Sequence, residues 1–203
     1  MQEMTDRQGY KEKIEEIDKQ YQTAEKCIKK FERWFHDDGL GIFTPAINQL
    51  RYAGKHLLRA IRENPPNESE LDKSLNHCLR ASLDASEASA IAALSSYNEF
   101  RRRFCKIPIS DVIKNYGEIA KRFRELKRLV AKLDGTEIQE RLEQHDALVS
   151  AANQALEDMD VLLGSEEELK IKVRRDRFRA WLIPILASVF GALVGAIITA
   201  VIG

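Results

Sequence analysis

Residues 181–203 constrain the fold most, because they form an uninterrupted run without a single charged side chain. The run reads WLIPILASVFGALVGAIITAVIG, and only Trp181, Ser188 and Thr199 carry polar side-chain groups. A helix rises about 1.5 Å per residue, so this run would reach roughly 34 Å, whereas a hydrocarbon core is about 30 Å thick. The run therefore predicts a transmembrane helix rather than a buried helix of a soluble domain.

The residues just before this run are basic and predict its orientation. The cations are Lys170, Lys172, Arg174, Arg175, Arg177 and Arg179. Only Asp176 opposes them, and Trp181 stands where interfacial aromatic residues are typical. We expect these cations to bind the membrane surface, with the N-terminus cytoplasmic. Because the apolar run closes the sequence, it is predicted to be a single-pass tail anchor over residues 181–203.

One side of the predicted membrane helix consists of small residues. Ala187, Gly191, Gly195 and Thr199 recur at every fourth position, and the two glycines form a GxxxG pair. Without bulky side chains, helix backbones can approach closely enough for van der Waals contacts to drive association in lipid. The alternative is that small residues are simply common in membrane helices. We expect a homo-oligomer built through this side.

The rest of the composition predicts one all-α domain over residues 1–163. Gly and Pro are sparse, and little of the sequence is typical of strands. Lys+Arg and Asp+Glu both number 32, so the overall charge indicates no particular partner. Cys27, Cys78 and Cys105 are far apart and lack metal-ligand spacing, which favours reduced structural cysteines. Nothing in the sequence predicts a metal, a cofactor or a small-molecule substrate.

Apolar residues spaced by three and four predict an antiparallel bundle of about five helices before the transmembrane helix. The predicted helices cover residues 7–35, 45–62, 69–104, 110–134 and 136–163. A joint at Gly164 and Ser165 begins a basic juxtamembrane helix over residues 164–180, which leads into the span. His145 interrupts the apolar seam of the fifth helix, where we expect a polar core residue that fixes register.

Charge separates the fourth and fifth predicted helices. Arg101 to Lys132 contains eleven basic and three acidic residues, whereas Asp134 to Glu168 contains eleven acidic residues and one basic residue. The short turn between them predicts a hairpin whose opposite charges pair within the protein or between subunits. Binding of RNA by the basic helix is the alternative.

One short pattern indicates chemistry. Arg51 and His56 form an R-x4-H motif within LRYAGKHLLRAI on the second predicted helix, and NHCLRA follows on the third. These motifs resemble the HEPN superfamily of all-α domains over about residues 45–105. The resemblance implies a metal-independent ribonuclease site, in which His56 transfers a proton and Arg51 stabilises phosphate charge. The alternative is a solvated basic face with a hydrogen-bonded histidine.

A membrane-anchored HEPN-like domain is similar to accessory proteins of bacterial antiviral systems that assemble into membrane pores. The resemblance implies a self-associating, pore-forming or membrane-perturbing effector in bacterial antiviral defence, located in the bacterial inner membrane. Its expected partners are the lipid bilayer, further copies of the chain, and RNA or an RNA-guided effector. Two alternatives stay open: a membrane-tethered HEPN-type ribonuclease, and a tail-anchored tether or SNARE-like scaffold.

Overall fold

A computed structural model describes the backbone of residues 2–35 and 43–202, and the side chains of residues 8–34 and 43–184. Within these ranges the chain is all α, with seven α-helices, a 3₁₀ turn at Ile109–Asp111 and no strand. The helices are α1 Gln2–Phe35, α2 Thr44–Ala60, α3 Glu68–Arg103, α4 Tyr116–Leu133, α5 Ile138–Glu143, α6 His145–Gly164 and α7 Glu166–Ile202. The all-α bundle predicted from the sequence is confirmed for this part of the chain.

The long helix α3 is the centre of the bundle and packs against α1, α2, α4 and α6. Its middle is rich in Ala and Ser, and Ala81, Ala85, Ala90 and Ala93 are almost completely buried. Small side chains at a contact reduce the distance between helix axes. The Ala-rich middle of α3 therefore lets several helices surround it closely.

The largest cluster of buried side chains lies around the second half of α3. Tyr97 of α3 stacks on Phe123 of α4, with ring centroids 4.1 Å apart and 2° between the ring planes. Leu156 of α6 and Leu169 of α7 belong to the same cluster, and Leu169 is fully buried. The core of the bundle thus continues past the predicted boundary at residue 163 into the first turns of α7.

Two helix boundaries differ from the prediction. The predicted fifth helix, residues 136–163, is divided at Gln144 into α5 and α6. The predicted fourth helix starts at Tyr116 instead of residue 110, because residues 109–111 form the 3₁₀ turn. Ile109 and Ile113 are both buried, so the apolar spacing continues although the helix does not. Periodicity of burial alone cannot locate such a break.

The joint predicted at Gly164 and Ser165 separates α6 from α7, with only Ser165 between the two helices. From Glu166, α7 continues as one helix to Ile202 and includes Pro184 in its interior. No helix in the described residues combines the length and apolarity needed to cross a membrane. The side chains of the predicted small-residue side lie outside the described residues; they are Ala187, Gly191, Gly195 and Thr199.

Candidate functional site

The R-x4-H motif lies on α2, which is anchored to the bundle by small side chains. Ala46, Ala53 and Ala60 recur every seventh residue and are almost completely buried. Two turns of helix separate such positions, so these alanines form one buried side of α2. The opposite side carries exposed cations, of which Arg51 is the first.

His56 lies at the edge of the buried side and contacts the start of α3. Its Nδ1 is 2.8 Å from Glu70 Oε2, and both side chains are more than four-fifths buried, with exposures of 17% and 15%. Asn67 caps α3 by accepting a hydrogen bond from the backbone N–H of Glu70 at 3.2 Å, which fixes where Glu70 stands. The start of α3 therefore supplies a carboxylate that orients the imidazole of His56.

Glu70 also accepts a hydrogen bond from a lysine on its own helix. Lys73 Nζ donates to Glu70 Oε1 at 2.6 Å. The hydrogen bond from Lys73, followed by the one with His56, lowers the pKa of the Glu70 carboxyl to about 2. Glu70 is therefore ionised at neutral pH and presents a negative charge to His56.

A second histidine, His77 of α3, completes the cluster. Its ring stacks on His56 with centroids 5.2 Å apart and 10° between planes, and Tyr52 lies 5.5 Å away. His77 Nδ1 is 2.7 Å from Gln49 Oε1. Burial lowers the pKa of His77, and the charges of His56 and Arg80 lower it further. His77 thus favours its neutral form beside His56.

Arg51 does not share this environment. Its side chain is exposed, and Nη1 donates to Asn48 Oδ1 at 3.1 Å. Arg51 lines a surface groove of about 600 Å³ with Gly54, Lys55, Leu58, Arg59 and Arg62. Five residues correspond to about 140° around a helix. Arg51 and His56 therefore lie on different sides of α2, and the motif is not brought together within one chain.

The arrangement orients a histidine that could transfer a proton, but it does not place Arg51, the cation of the motif, beside that histidine. A histidine oriented by a carboxylate can act as a general acid or base. Arg51, which would stabilise the developing negative charge, is directed away from His56. No group of three or more His, Cys, Asp or Glu among the described residues is arranged to hold a metal ion.

The first turns of α7, which begin the predicted membrane-binding segment, are docked on the bundle. Arg103 Nη1 of α3 donates to Glu166 Oε2 at 3.2 Å, and Lys172 pairs with Asp111 of the 3₁₀ turn. Lys170 Nζ donates to Glu167 Oε1 at 2.6 Å on the same helix. Two of the six predicted membrane-binding cations are therefore already paired within the protein.

The remaining four cations point into solvent and make no ion pair with any described residue; they are Arg174, Arg175, Arg177 and Arg179. Phe178 and Trp181 lie among and just after them, with 57% and 64% of their surfaces exposed. Their ring centroids are 6.4 Å apart. This segment of α7 thus presents cations and aromatic rings side by side.

Sequence reasoning singled out Arg51 and His56 and noted the NHCLRA motif around His77, but it gave His77 no role in the site and missed Glu70 and Gln49. The pattern H-x-L-R-A occurs at both His56 and His77, and this is the sequence signal that could have indicated that the two rings lie together. No protein-family model, no curated protein and no solved structure matches this chain. The HEPN resemblance stays a prediction that rests on its motifs.

Proposed function

We propose that this protein is a membrane-anchored helical bundle that associates with copies of itself and perturbs the membrane. The observation that carries the proposal is the continuity of α7. One helix leads from contacts on the bundle, through exposed cations and aromatic rings, into the uncharged run of residues 181–203. The docked start of α7 suits the cytoplasm, and its cationic and aromatic segment suits the lipid headgroups. The uncharged run suits the hydrocarbon core of the membrane.

The exposed segment of α7 suits a headgroup layer. Trp side chains concentrate at membrane interfaces, and cations near an anionic leaflet contribute about 1 kcal/mol each. Arg174, Arg175, Arg177 and Arg179 are free to make such contacts, since no described residue pairs with them. Transfer of Phe178 and Trp181 into the interface also removes two exposed rings from water.

The docked start of α7 supplies a mechanical link between the bundle and the anchor. Leu169 is fully buried, and Glu166 and Lys172 pair with Arg103 and Asp111. Because α7 is one helix, a rearrangement of the bundle moves the apolar run with it. Bundles that assemble therefore gather their apolar helices. The small residues of the run then permit close packing of those helices.

A gathered set of such helices perturbs the bilayer. The run offers only a few polar groups, chiefly Ser188 and Thr199, so a ring of these helices would conduct ions or gate by dewetting. Bacterial antiviral defence is the proposed setting and follows from the HEPN resemblance alone. A tail-anchored tether or SNARE-like scaffold is the alternative that shares the same anchor.

Metal-independent ribonuclease activity is the second candidate function. The contact between His56 and Glu70 favours it, because a carboxylate-oriented histidine is a suitable general base. The separation of Arg51 from His56 opposes it within one chain. A second copy would have to bring its Arg51 to His56 for the R-x4-H pair to act on one phosphate.

The anchor is tested by removing residues 181–203 and comparing the product with the full chain. We expect the full chain to resist extraction from membranes by alkaline carbonate, and the shortened chain to be released as a folded helical protein. Reporters fused to the full chain should place the N-terminus in the cytoplasm and the C-terminus outside it.

A matched control keeps residues 181–203 and replaces Arg174, Arg175, Arg177 and Arg179 with Gln. This variant should stay in the membrane but lose its fixed orientation, because the cations set the topology and the apolar run sets the insertion. Membrane retention of the chain shortened at residue 180 would contradict the assignment of the anchor.

A further inference from the structure

The exposed side of α4 carries a row of cations, which we call the α4 basic stripe. Its members are Lys121, Arg124, Arg128 and Lys132. All four are exposed, and none makes an ion pair with a described residue. Their spacing of three and four places them on one side of α4, over about 16 Å of helix. The opposite side of α4 is buried in the core through Ile119, Phe123 and Leu126.

The turn after α4 and the short helix α5 carry a matching row of carboxylates, which we call the α5 acidic segment. Its members are Asp134, Glu137, Glu140 and Glu143. These four are likewise exposed and make no ion pair with a described residue. Arg141 is the single cation in this stretch, and it pairs with Glu87 of α3. The segment therefore keeps its full negative charge.

The end of the α4 basic stripe lies near the level of the α5 acidic segment along α3. Phe123 of α4 stacks on Tyr97, and Arg141 of α5 pairs with Glu87. These two positions of α3 are ten residues, about 15 Å, apart along the helix. The chain runs from Phe123 to Arg141 through a short turn, so α4 follows α3 from Tyr97 towards Glu87. The ten residues of α4 after Phe123 cover about 15 Å, so the end of α4 reaches the level of Glu87, where Arg141 of α5 lies.

We propose that the α4 basic stripe of one copy docks on the α5 acidic segment of a second copy. This inference rests on the proposed self-association and names its interface outside the membrane. Copies arranged side by side about an axis parallel to α3 can meet only through surfaces at one level of that helix. Arg128 and Lys132 at the end of the stripe come closest to this condition, and the two rows have opposite charge. Electrostatic complementarity of this kind fixes partner and register.

A second basic row on α2 does not satisfy the same condition. Arg51, Lys55 and Arg59 are exposed, but Ser74 Oγ donates to the Ala53 carbonyl, which places this part of α2 beside Ser74 of α3. Ser74 lies thirteen residues, about 20 Å, before Glu87 along α3. The α2 row therefore carries similar charge at a different height, which makes it a matched control.

Mixed-copy crosslinking tests the contact in the full-length protein. Two differently tagged chains, one with Arg128→Cys and one with Glu140→Cys, are reconstituted together in a background in which the exposed Cys105 is changed to Ser. We expect a crosslink that joins the two tags. A pair with Lys55→Cys in place of Arg128→Cys should crosslink at least tenfold less.

Charge reversal tests the same contact without new cysteines. Arg124→Glu with Arg128→Glu, or Glu137→Lys with Glu140→Lys, should each lower the oligomeric fraction at least fivefold in detergent at low salt. Mixing the two variants should restore assembly, because the reversed surfaces are again complementary. Lys55→Glu with Arg59→Glu should assemble like the parent.

Three other results would each contradict the proposed interface in a different way. If both reversals assemble normally while Gly191→Leu does not, this interface is wrong and self-association stands. If the α4 reversal abolishes binding of a uridine 20-mer but leaves the oligomer unchanged, the stripe binds RNA and the proposal is overturned. If the parent is monomeric in detergent and in membranes, the interface and the proposed self-association both fail.

Discussion

His56 and Arg51 illustrate how neighbours decide what a motif can do. The imidazole of His56 is held by Glu70 and covered on one face by His77. The guanidinium of Arg51 bonds to Asn48 on the exposed side of α2. A proton-transfer group and a charge-stabilising group act on one phosphate only if both reach it. Within one chain the imidazole of His56 and the guanidinium of Arg51 lie on separate surfaces.

We therefore expect no strong cleavage of single-stranded RNA by the purified full-length protein. Its activity should equal that of His56→Ala within about twofold, measured with a labelled RNA in the presence of EDTA. Glu70→Gln is the matched control, since it keeps the side-chain shape and removes the charge that orients His56. Cleavage that disappears in both Arg51→Ala and His56→Ala, with helical content unchanged, would show that the motif is catalytic.

For single residues, the sequence predicted burial better than it predicted which side chains contact each other. His145 was predicted to be a polar core residue, and it is buried, with Nε2 2.5 Å from Ser82 Oγ. Its neighbours in the apolar seam gave that prediction, because burial follows helix periodicity. Glu70 and His77 could not be predicted in the same way. Their contacts with α2 depend on the register of two helices, and periodicity on either helix does not fix that register.

Among the contacts between helices, a bidentate ion pair joins α4 to α6. Arg122 Nε and Nη2 each donate to a carboxylate oxygen of Asp158 at 2.7 Å. Asp158 is 3% exposed and also accepts a hydrogen bond from Gln154 at 3.3 Å. The pair is the point at which the opposite charges predicted for these helices meet inside the protein. The α4 basic stripe, which does not include Arg122, faces outwards.

Asp158→Asn should destabilise the bundle by about 2 kcal/mol, because it leaves the partly buried Arg122 guanidinium without its carboxylate. Chemical denaturation of the full-length protein in detergent measures this change. The matched control is Glu157→Gln on the same helix, which breaks an exposed contact with Lys30 at 3.4 Å. That change should cost less than about 0.5 kcal/mol. Equal effects of the two substitutions would show that the buried pair does not stabilise the packing of α4 on α6.

The sequence predicted which segments of the chain are helical, but it did not predict where every helix begins and ends. Strong apolar periodicity placed α1, α2 and α3 close to their observed bounds. Residues 109–115 and Gln144 lack Gly and carry no proline that would mark a break, so the late start of α4 and the division of α5 from α6 were missed. Buried Ile109 and Ile113 continue the apolar spacing across the first break, and half-buried Leu142 and buried Leu148 continue it across the second. Tertiary packing, rather than local sequence, sets these boundaries.

At the scale of the whole molecule, α7 connects two modes of association. Its first turns are packed into the bundle through Leu169, and its helix continues to Ile202. Assembly through the α4 and α5 surfaces would bring several copies of α7 together. Assembly through the apolar run would do the same from the other end. The two contacts reinforce each other, since each one raises the effective concentration of the surfaces that form the other.

The apolar contact is tested by Gly191→Leu and Gly195→Leu. Both variants should insert into membranes like the parent, because leucine is at least as apolar as glycine. Both should assemble at least fivefold less, because the added side chains hold helix backbones apart. Assembly is measured by crosslinking in membranes, and the consequence for the bilayer by a potential-sensitive dye during overproduction. We expect the parent to depolarise the membrane and both variants to depolarise it less.

Two substitutions in the same run serve as matched controls. Val189→Leu and Leu193→Ile lie two positions after Ala187 and Gly191, about 200° around a helix, and change an apolar side chain of similar size. They should assemble and depolarise like the parent. If the two glycine variants behave like these controls, the small residues do not build the pore. If they assemble less but depolarise the membrane fully, assembly through this side is not what perturbs the bilayer, and a single anchored copy is sufficient.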